Sequence, residues 1–320
     1  MDHNYPFPET AITHGGIFHA DDVFAFAFLW TINDSIRLVR TNHPSVRESD
    51  GNAVVFDIGG GEFDHHTPET VEERPFKDWM THHEPYSSFG KIVRAYHDYV
   101  MSDDEYLRFD RRLCIPIDYA DCNGGLWGNA PNTLSDVVAS MNGNWDEDNS
   151  EKPQRARFME AATFARGVIT RTIDRIKAEG KAAAITENAI DVARIENHDH
   201  YVMLDRYTEF VPTFRKPDNE SFAWVAYPSL RGGWQIYAPK IGGLNRDALT
   251  DDLINYIRIR WGNGVIFIHP AGFTASFVTR GIACEVLDHL QKTWNERNHP
   301  DPRSSRPYIQ GVIVNGEVMS

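Results

Sequence analysis

Residues 53–66 read Ala53-Val54-Val55-Phe56-Asp57-Ile58-Gly59-Gly60-Gly61-Glu62-Phe63-Asp64-His65-His66, and this stretch decides the fold. Its first part is an apolar run broken only by Asp57, which suits a strand buried in a parallel sheet. Three glycines end the run, and a carboxylate followed by two adjacent histidines closes the stretch. Imidazoles and carboxylates together are the donors a divalent transition metal needs. A second cluster, His14-Gly15-Gly16-Ile17-Phe18-His19-Ala20-Asp21-Asp22, has the same arrangement after the short apolar run Ala11-Ile12-Thr13.

Working outward, 36–41 alternates apolar and polar residues as a strand does, and 23–30 predicts a helix capped by Asp21 or Asp22. Ser87 or Ser88 opens a helix reaching Tyr99, and 103–113 predicts another. The run Ile115-Pro116-Ile117 is read as a further strand end leading into a loop with Asp118 and Asp121. Strand–helix–strand alternation implies an α/β fold with an N-terminal parallel sheet. Ligands of such sheets bind beyond the carboxyl ends of the strands, where His14, Asp57 and Asp121 are expected.

The acidic stretch 142–153 marks the expected domain boundary. The first domain is then 1–145, and 154–320 holds a connecting helix, about 154–180, followed by a C-terminal α+β domain. That second domain is read as strands over 222–227, 234–237 and 265–268, helices over 246–260 and 279–295, and an Asn315-Gly316 hairpin within 312–318.

The 320 residues are 41% hydrophobic and 24% charged, an ordinary globular composition. No apolar run approaches the ~20 residues that span a bilayer. The N-terminal residues lack a basic region followed by an apolar one, so no secretory signal is expected and a cytoplasmic location is. The 3 cysteines, Cys114, Cys122 and Cys284, form no Cys-x-x-Cys pair, which fits a reduced protein without disulfides. Cys122 is read as a small buried filler. The net charge of −14 disfavours a long duplex partner and leaves a short phosphodiester open.

Taken singly, an Asp after a strand is commonly a helix cap, and a lone His a partly buried residue with one hydrogen bond. Jointly, His14, His19, Asp21, Asp57, Asp64, His65, His66 and Asp121 fall near expected strand ends of one domain. Such an oxygen-rich set suits paired Mn²⁺ or Mg²⁺ better than structural zinc. Two ions at roughly 3.5–4 Å clamp both sides of an in-line displacement at phosphorus. Neighbouring side chains on extended backbone point oppositely, so His66 is the candidate for the phosphoryl group. The clusters His82-His83-Glu84 and His198-Asp199-His200 are read as a solvated loop and a surface segment.

The motifs resemble those of the Myg (melanocyte proliferating gene) family of the DHH phosphoesterase superfamily, formerly described as metal-dependent protein hydrolases. Thr13 to Asp22 is similar to its opening signature. Asp57-Ile58-Gly59-Gly60 with Phe63-Asp64-His65-His66 resembles its second, Ser87-Ser88-Phe89-Gly90 its helix start, and Ile117-Asp118-Tyr119-Ala120-Asp121 with Asn123-Gly124 its fourth element. Gly233-Trp234-Gln235-Ile236 with Pro239-Lys240, and 265–273 with Thr279-Arg280, extend the likeness to the C-terminal half.

The resemblance implies a DHH-type metal domain followed by a substrate-binding domain. It also implies two divalent ions, Mn²⁺ ahead of Mg²⁺, and 3′–5′ exonuclease action on RNA or short oligonucleotides. Carried over, His14, His19 and Asp57 hold one ion, and Asp21, Asp57 and Asp121 the other, with Asp57 bridging. His65 and His66 complete the site or contact phosphate, and Asp64 orients a histidine. His269, Arg280 and Lys240 are the candidates for substrate phosphates.

Two departures stand out. Cys122 separates Asp121 from Asn123-Gly124, which makes Asp118 a fallback ligand. Ala275-Ser276 replaces the family's Gly-Gly pair, weakening a backbone anion site there. Competing readings are a hydrolase of a small phosphorylated metabolite, such as a cyclic dinucleotide or pyrophosphate, and a non-catalytic nucleotide-binding protein. Homo-oligomerisation is left open.

Overall fold

The computed structural model describes residues 5–43, 52–75, 83–123, 133–198, 200–219, 221–239 and 248–298. Lys240, Gly124, His82 and the expected 312–318 hairpin lie outside them. The chain divides into two compact units, Met1–Ala178 and Glu179–Ser320.

In the first unit, β1 (Thr10–Thr13) is the centre of a parallel sheet, with β2 (Arg37–Arg40) on one side and β3 (Ala53–Val55) on the other. The expected α/β architecture is present. Helix α1 (Ala20–Ile32) connects β1 to β2, and every residue from Ala20 to Leu29 is buried. A helix apolar on all sides belongs inside, which is why Phe24, Phe26 and Phe28 all find core partners. The expected cap is corrected: His19 is the N-cap, and its backbone N–H donates to Asp22 Oδ1 at 2.9 Å. Asp21 and Asp22 are therefore inside the first turn.

Helix α2 (Ser88–Tyr96) packs on α1, and a 3₁₀ turn, His97–Tyr99, replaces the last turn expected for it. Helix α3 (Asp103–Phe109) runs through a π turn, Asp110–Cys114, into α4 (Ile115–Cys122). The strand end expected at 115–117 is thus wrong. Pro116 sits in the first turn of α4, directly after the π turn, and Ile115 and Ile117 are buried along the helix. Asp118 and Asp121 are helical residues.

A short helix, α5 (Leu134–Ala139), was not foreseen; its Thr133 cap accepts from Asp136 N–H at 3.2 Å. Helix α6 (Glu151–Ile195) is far longer than expected and runs through the boundary between the units. Phe158, Ala161, Ala162, Ala165, Ile169 and Ile173 bury its stripe at helical spacing in the first unit's core.

The second unit has a five-stranded mixed sheet in the order β4-β5-β6-β8-β7. Its strands are β4 (Tyr201–Met203), β5 (Trp224–Pro228), β6 (Trp234–Tyr237), β7 (Val265–Ile268) and β8 (Thr274–Phe277). A short helix, α7 (Val211–Phe214), precedes β5, while α8 (Asp251–Trp261) and α9 (Arg280–Asn298) supply apolar side chains against Trp224, Ile236, Ala275 and Phe277. The α+β character expected for this half is present. Strand β8 was not expected, because Thr-Ala-Ser is weakly apolar; it pairs on both sides, with β6 and with β7.

His200 is buried and its ring stacks on Trp294 at 5.0 Å, so the surface reading of that segment is corrected. Among the described residues no helix is long and apolar enough to cross a membrane.

Candidate metal centre

The site is assembled where β1 and β3 end and α1, α2 and α4 begin or close. Phe56 N–H still donates to Ile12 O at 3.0 Å, and the chain then turns sharply. Asp57 adopts φ +56°, a left-handed conformation that is strained for a residue with a Cβ. The turn drives the Asp57 carboxylate into the interior, where Ser88 Oγ donates to Oδ1 at 3.1 Å and His14 Nε2 lies 3.2 Å from Oδ2.

The Asp64-His65-His66 segment folds around its own carboxylate. Asp64 accepts from Gly60 N–H at 2.7 Å, from His66 N–H at 3.0 Å and from His66 Nδ1 at 2.8 Å. These donors hold the Asp64 carboxyl below its ordinary value despite its burial. The two histidines stack, with ring centroids 4.3 Å apart. His65 points inward, its Nε2 at 2.8 Å from Asp121 Oδ2 and its Nδ1 at 3.2 Å from Ser88 Oγ, while His66 is half exposed.

Donor atoms converge in overlapping groups: His14 with His19 and Asp57; His19 with Asp21 and Asp121; Asp21 with Asp22 and Asp57; Asp57 with Asp64, His65 and His66. Within each group the donors lie within 4.8 Å of one another. Asp21 is 0% exposed, and neither of its carboxylate oxygens has a hydrogen-bond partner; Asp22 Oδ2 and Asp57 Oδ2 face only His14 Nε2, at 3.3 Å and 3.2 Å.

Burial, then the neighbouring charges of Asp57 and Asp121, push the Asp21 carboxyl well above its ordinary value. Burial pushes Asp22 up to about 7, against the opposing charge of His14. For His14, burial disfavours the proton, but the bond to Asp57 and the charges of Asp22 and Asp57 outweigh it and raise the imidazole to about 9. Asp57 is held low, its burial outweighed by His14, His65 and His66. Buried carboxylates without donors are costly unless a cation satisfies them, and the donor set fits divalent ions.

The predicted residues do not all meet. Asp118 is 0% exposed, and it accepts from Arg74 Nη2 at 2.6 Å, Ser87 Oγ at 2.5 Å and Gly90 N–H at 3.0 Å. Its fallback role as a ligand is corrected, because both oxygens are committed to Arg74 and the start of α2. Asp121, one helical turn on, is in the cluster.

Three participants escaped sequence reasoning: Asp22, Ser88 and Lys91. Ser88 lay in the Ser-Ser-x-Gly motif, which was a usable signal. Lys91 is buried and donates to Asp64 O at 2.7 Å, Glu62 O at 3.3 Å and Thr70 O at 2.5 Å, fixing the histidine loop from beneath.

In the second unit, His269 Nδ1 accepts from Ala271 N–H at 3.0 Å, within the turn between β7 and β8. Arg280, exposed at the start of α9, places its guanidinium 5.5 Å from the Trp234 ring centre.

A family model described as an uncharacterised protein family, UPF0160 (MYG1_exonuc), matches residues 10–289. The MYG1 protein YER156C of Saccharomyces cerevisiae is 24% identical over 313 residues, covering 82% of this chain and 89% of that protein. Among solved structures, RecJ in complex with Mg²⁺ from Thermus thermophilus aligns with 90% of this chain at 9% identity and a TM-score of 0.31. The chain spans 50% of that structure's length. The match over 10–289 makes this chain a member of the MYG1 family, UPF0160.

Proposed function

We propose that this protein is a divalent-metal-dependent phosphoesterase of nuclease type that removes nucleotides from the 3′ end of RNA or short oligonucleotides. Metal chemistry is assigned to 1–145, and substrate contacts to 154–320 through His269, Arg280 and Lys240. The reading draws on the exonuclease label of the family model. The observation that carries it is the convergence of His14, His19, His65 and His66 on the buried carboxylates of Asp21, Asp22 and Asp57, with both Asp21 oxygens lacking any hydrogen-bond donor. The sequence Asp64-His65-His66 further supports a place in the DHH superfamily.

His14, His19 and Asp57 would hold one ion, Asp21, Asp57 and Asp121 the second. Two divalent cations, Mn²⁺ in our reading with Mg²⁺ as the alternative, supply Lewis acidity toward phosphoryl oxygens and acidify a water. The chain's own contribution is orientation. Asp57, aimed by its left-handed turn, is shared between the donor groups. Asp64 accepts the Nδ1–H of His66, so in the imidazolium form the Nε2–H would be free to donate to a phosphoryl oxygen or to the leaving group. His65 is fixed between Ser88 and Asp121 at the wall of the site.

The test is release of labelled mononucleotide from end-labelled single-stranded RNA by the purified protein with Mn²⁺, against Asp57→Asn. Equal product from both would refute the reading. A small phosphorylated metabolite is the second substrate class. It is favoured by β8, where Ala275 and Ser276 are paired in a strand and form no glycine-rich nest for a long phosphate backbone. Faster turnover of a cyclic dinucleotide or pyrophosphate than of RNA would select it. Metal binding without turnover of any of these would select the non-catalytic nucleotide binder.

A further inference from the structure

Cys122 is not the buried filler its neighbours in sequence indicate. It is the last residue of α4, it is exposed, and its Sγ lies within 4.8 Å of donor atoms of both His65 and Asp121. Cys122 and His65 also line one cavity of about 340 Å³, together with Tyr86 and Asn123. Asp121 belongs in addition to the group with His19 and Asp21, whose buried carboxylate lacks any hydrogen-bond donor. An imidazole, a carboxylate and a thiol thus meet at one edge of the cluster, beside an unsatisfied anion.

We infer that Cys122 Sγ is a metal donor together with His65 and Asp121, so that this edge of the centre takes a thiophilic divalent cation such as Zn²⁺, Fe²⁺ or Co²⁺. The inference rests on the metal-centre reading above and adds a ligand and a selectivity to it. Thiolate donors favour Zn²⁺ and its softer neighbours, whereas carboxylates, carbonyls and water suit Mg²⁺ and Mn²⁺. Coordination replaces the S–H bond by an S–metal bond, and the thiol proton leaves to solvent. A centre with one thiol edge and one oxygen-rich edge then holds two chemically different ions.

The test is titration of the metal-free full chain with Co²⁺ under reducing conditions, followed by absorption. Visible ligand-field bands report that cobalt enters the centre by any donors. A near-ultraviolet thiolate-to-cobalt charge-transfer band reports a Co–S bond. The expected result is both signals in the wild type and in Cys284→Ser. In Cys122→Ser the charge-transfer band is lost, the ligand-field bands remain, and the circular dichroism spectrum stays that of the wild type. Ligand-field bands without charge transfer in the wild type, or a charge-transfer band that survives Cys122→Ser, overturn the inference and leave the metal centre standing. No cobalt uptake by absorption or calorimetry overturns both.

Discussion

Asp21 shows most directly how this protein trades stability for a site. Its carboxylate is buried, lacks donors and faces the charges of Asp57 and Asp121. Asp21→Asn is expected to raise the melting midpoint of the metal-free protein while abolishing the increase that Mn²⁺ gives the wild type. Differential scanning calorimetry with and without metal reads both effects, and a lowered metal-free midpoint would contradict the account.

Asp118 and Asp121 should part company. Asp118→Asn leaves Arg74 paired with Asp110 but weakens the charge-assisted bonds from Arg74, Ser87 and Gly90, and is expected to cost roughly 1.5–3 kcal/mol. Any folded fraction should keep its Mn²⁺ affinity by calorimetry. Asp121→Asn is expected to fold normally and bind Mn²⁺ weakly.

The pH response of the metal-free chain follows from His14 and Asp22. Their folded values, about 9 and about 7, lie above the ordinary 6.5 and 3.8. The folded chain therefore binds extra protons, and its stability falls as pH rises through those windows. The metal-free melting midpoint should drop between pH 6.5 and 9, and saturating Mn²⁺, which displaces these protons, should remove the drop.

At the scale of elements, α2 serves as the keel of the site. A Cβ on Gly90 would lie 2.0 Å from Asp118 Oδ2 and 2.7 Å from Arg74 Nη2. That explains in steric terms why glycine stands in the Ser-Ser-x-Gly motif. One residue on, Lys91 holds three carbonyls of the loop that carries His65 and His66. Lys91→Met removes these charge-assisted bonds and leaves buried carbonyls unpaired, a loss of about 2–3 kcal/mol by urea titration. Mn²⁺ affinity should fall with it although Lys91 touches no proposed ligand. Unchanged affinity would mean that the loop is held by other contacts.

For the whole molecule, the acidic balance of −14 and the unsatisfied oxygens point the same way. The metal-free protein carries uncompensated negative charge that divalent ions relieve. Any ion bound only by the folded chain adds RT ln(1 + [L]/Kd), about 2.7 kcal/mol at a hundredfold excess over Kd. Chelation of metal-loaded protein should therefore lower the melting midpoint, reversibly on adding Mn²⁺ back.

Local chemistry determined much of this directly from sequence. The run 53–58 announces a parallel strand, although β3 stops at Val55 and is half-buried at the sheet edge; the glycines after it announce the break, and His14, His19, Asp57, Asp64, His65 and His66 announce the donors. These signals are legible because period, breaker residues and donor type are properties of a few adjacent residues. Strand β8 was illegible because its weakly apolar residues are strand only through partners on both sides. The helix at 115–122 was illegible because two isoleucines around a proline satisfy either period. Asp118 and Asp121 cannot be told apart by spacing. Only the tertiary structure decides between them, because Arg74, 44 positions from Asp118, takes one carboxylate while His65 approaches the other. Which anion is neutralised by the protein, and which is left for a cation, depends on contacts between distant segments that no local pattern encodes.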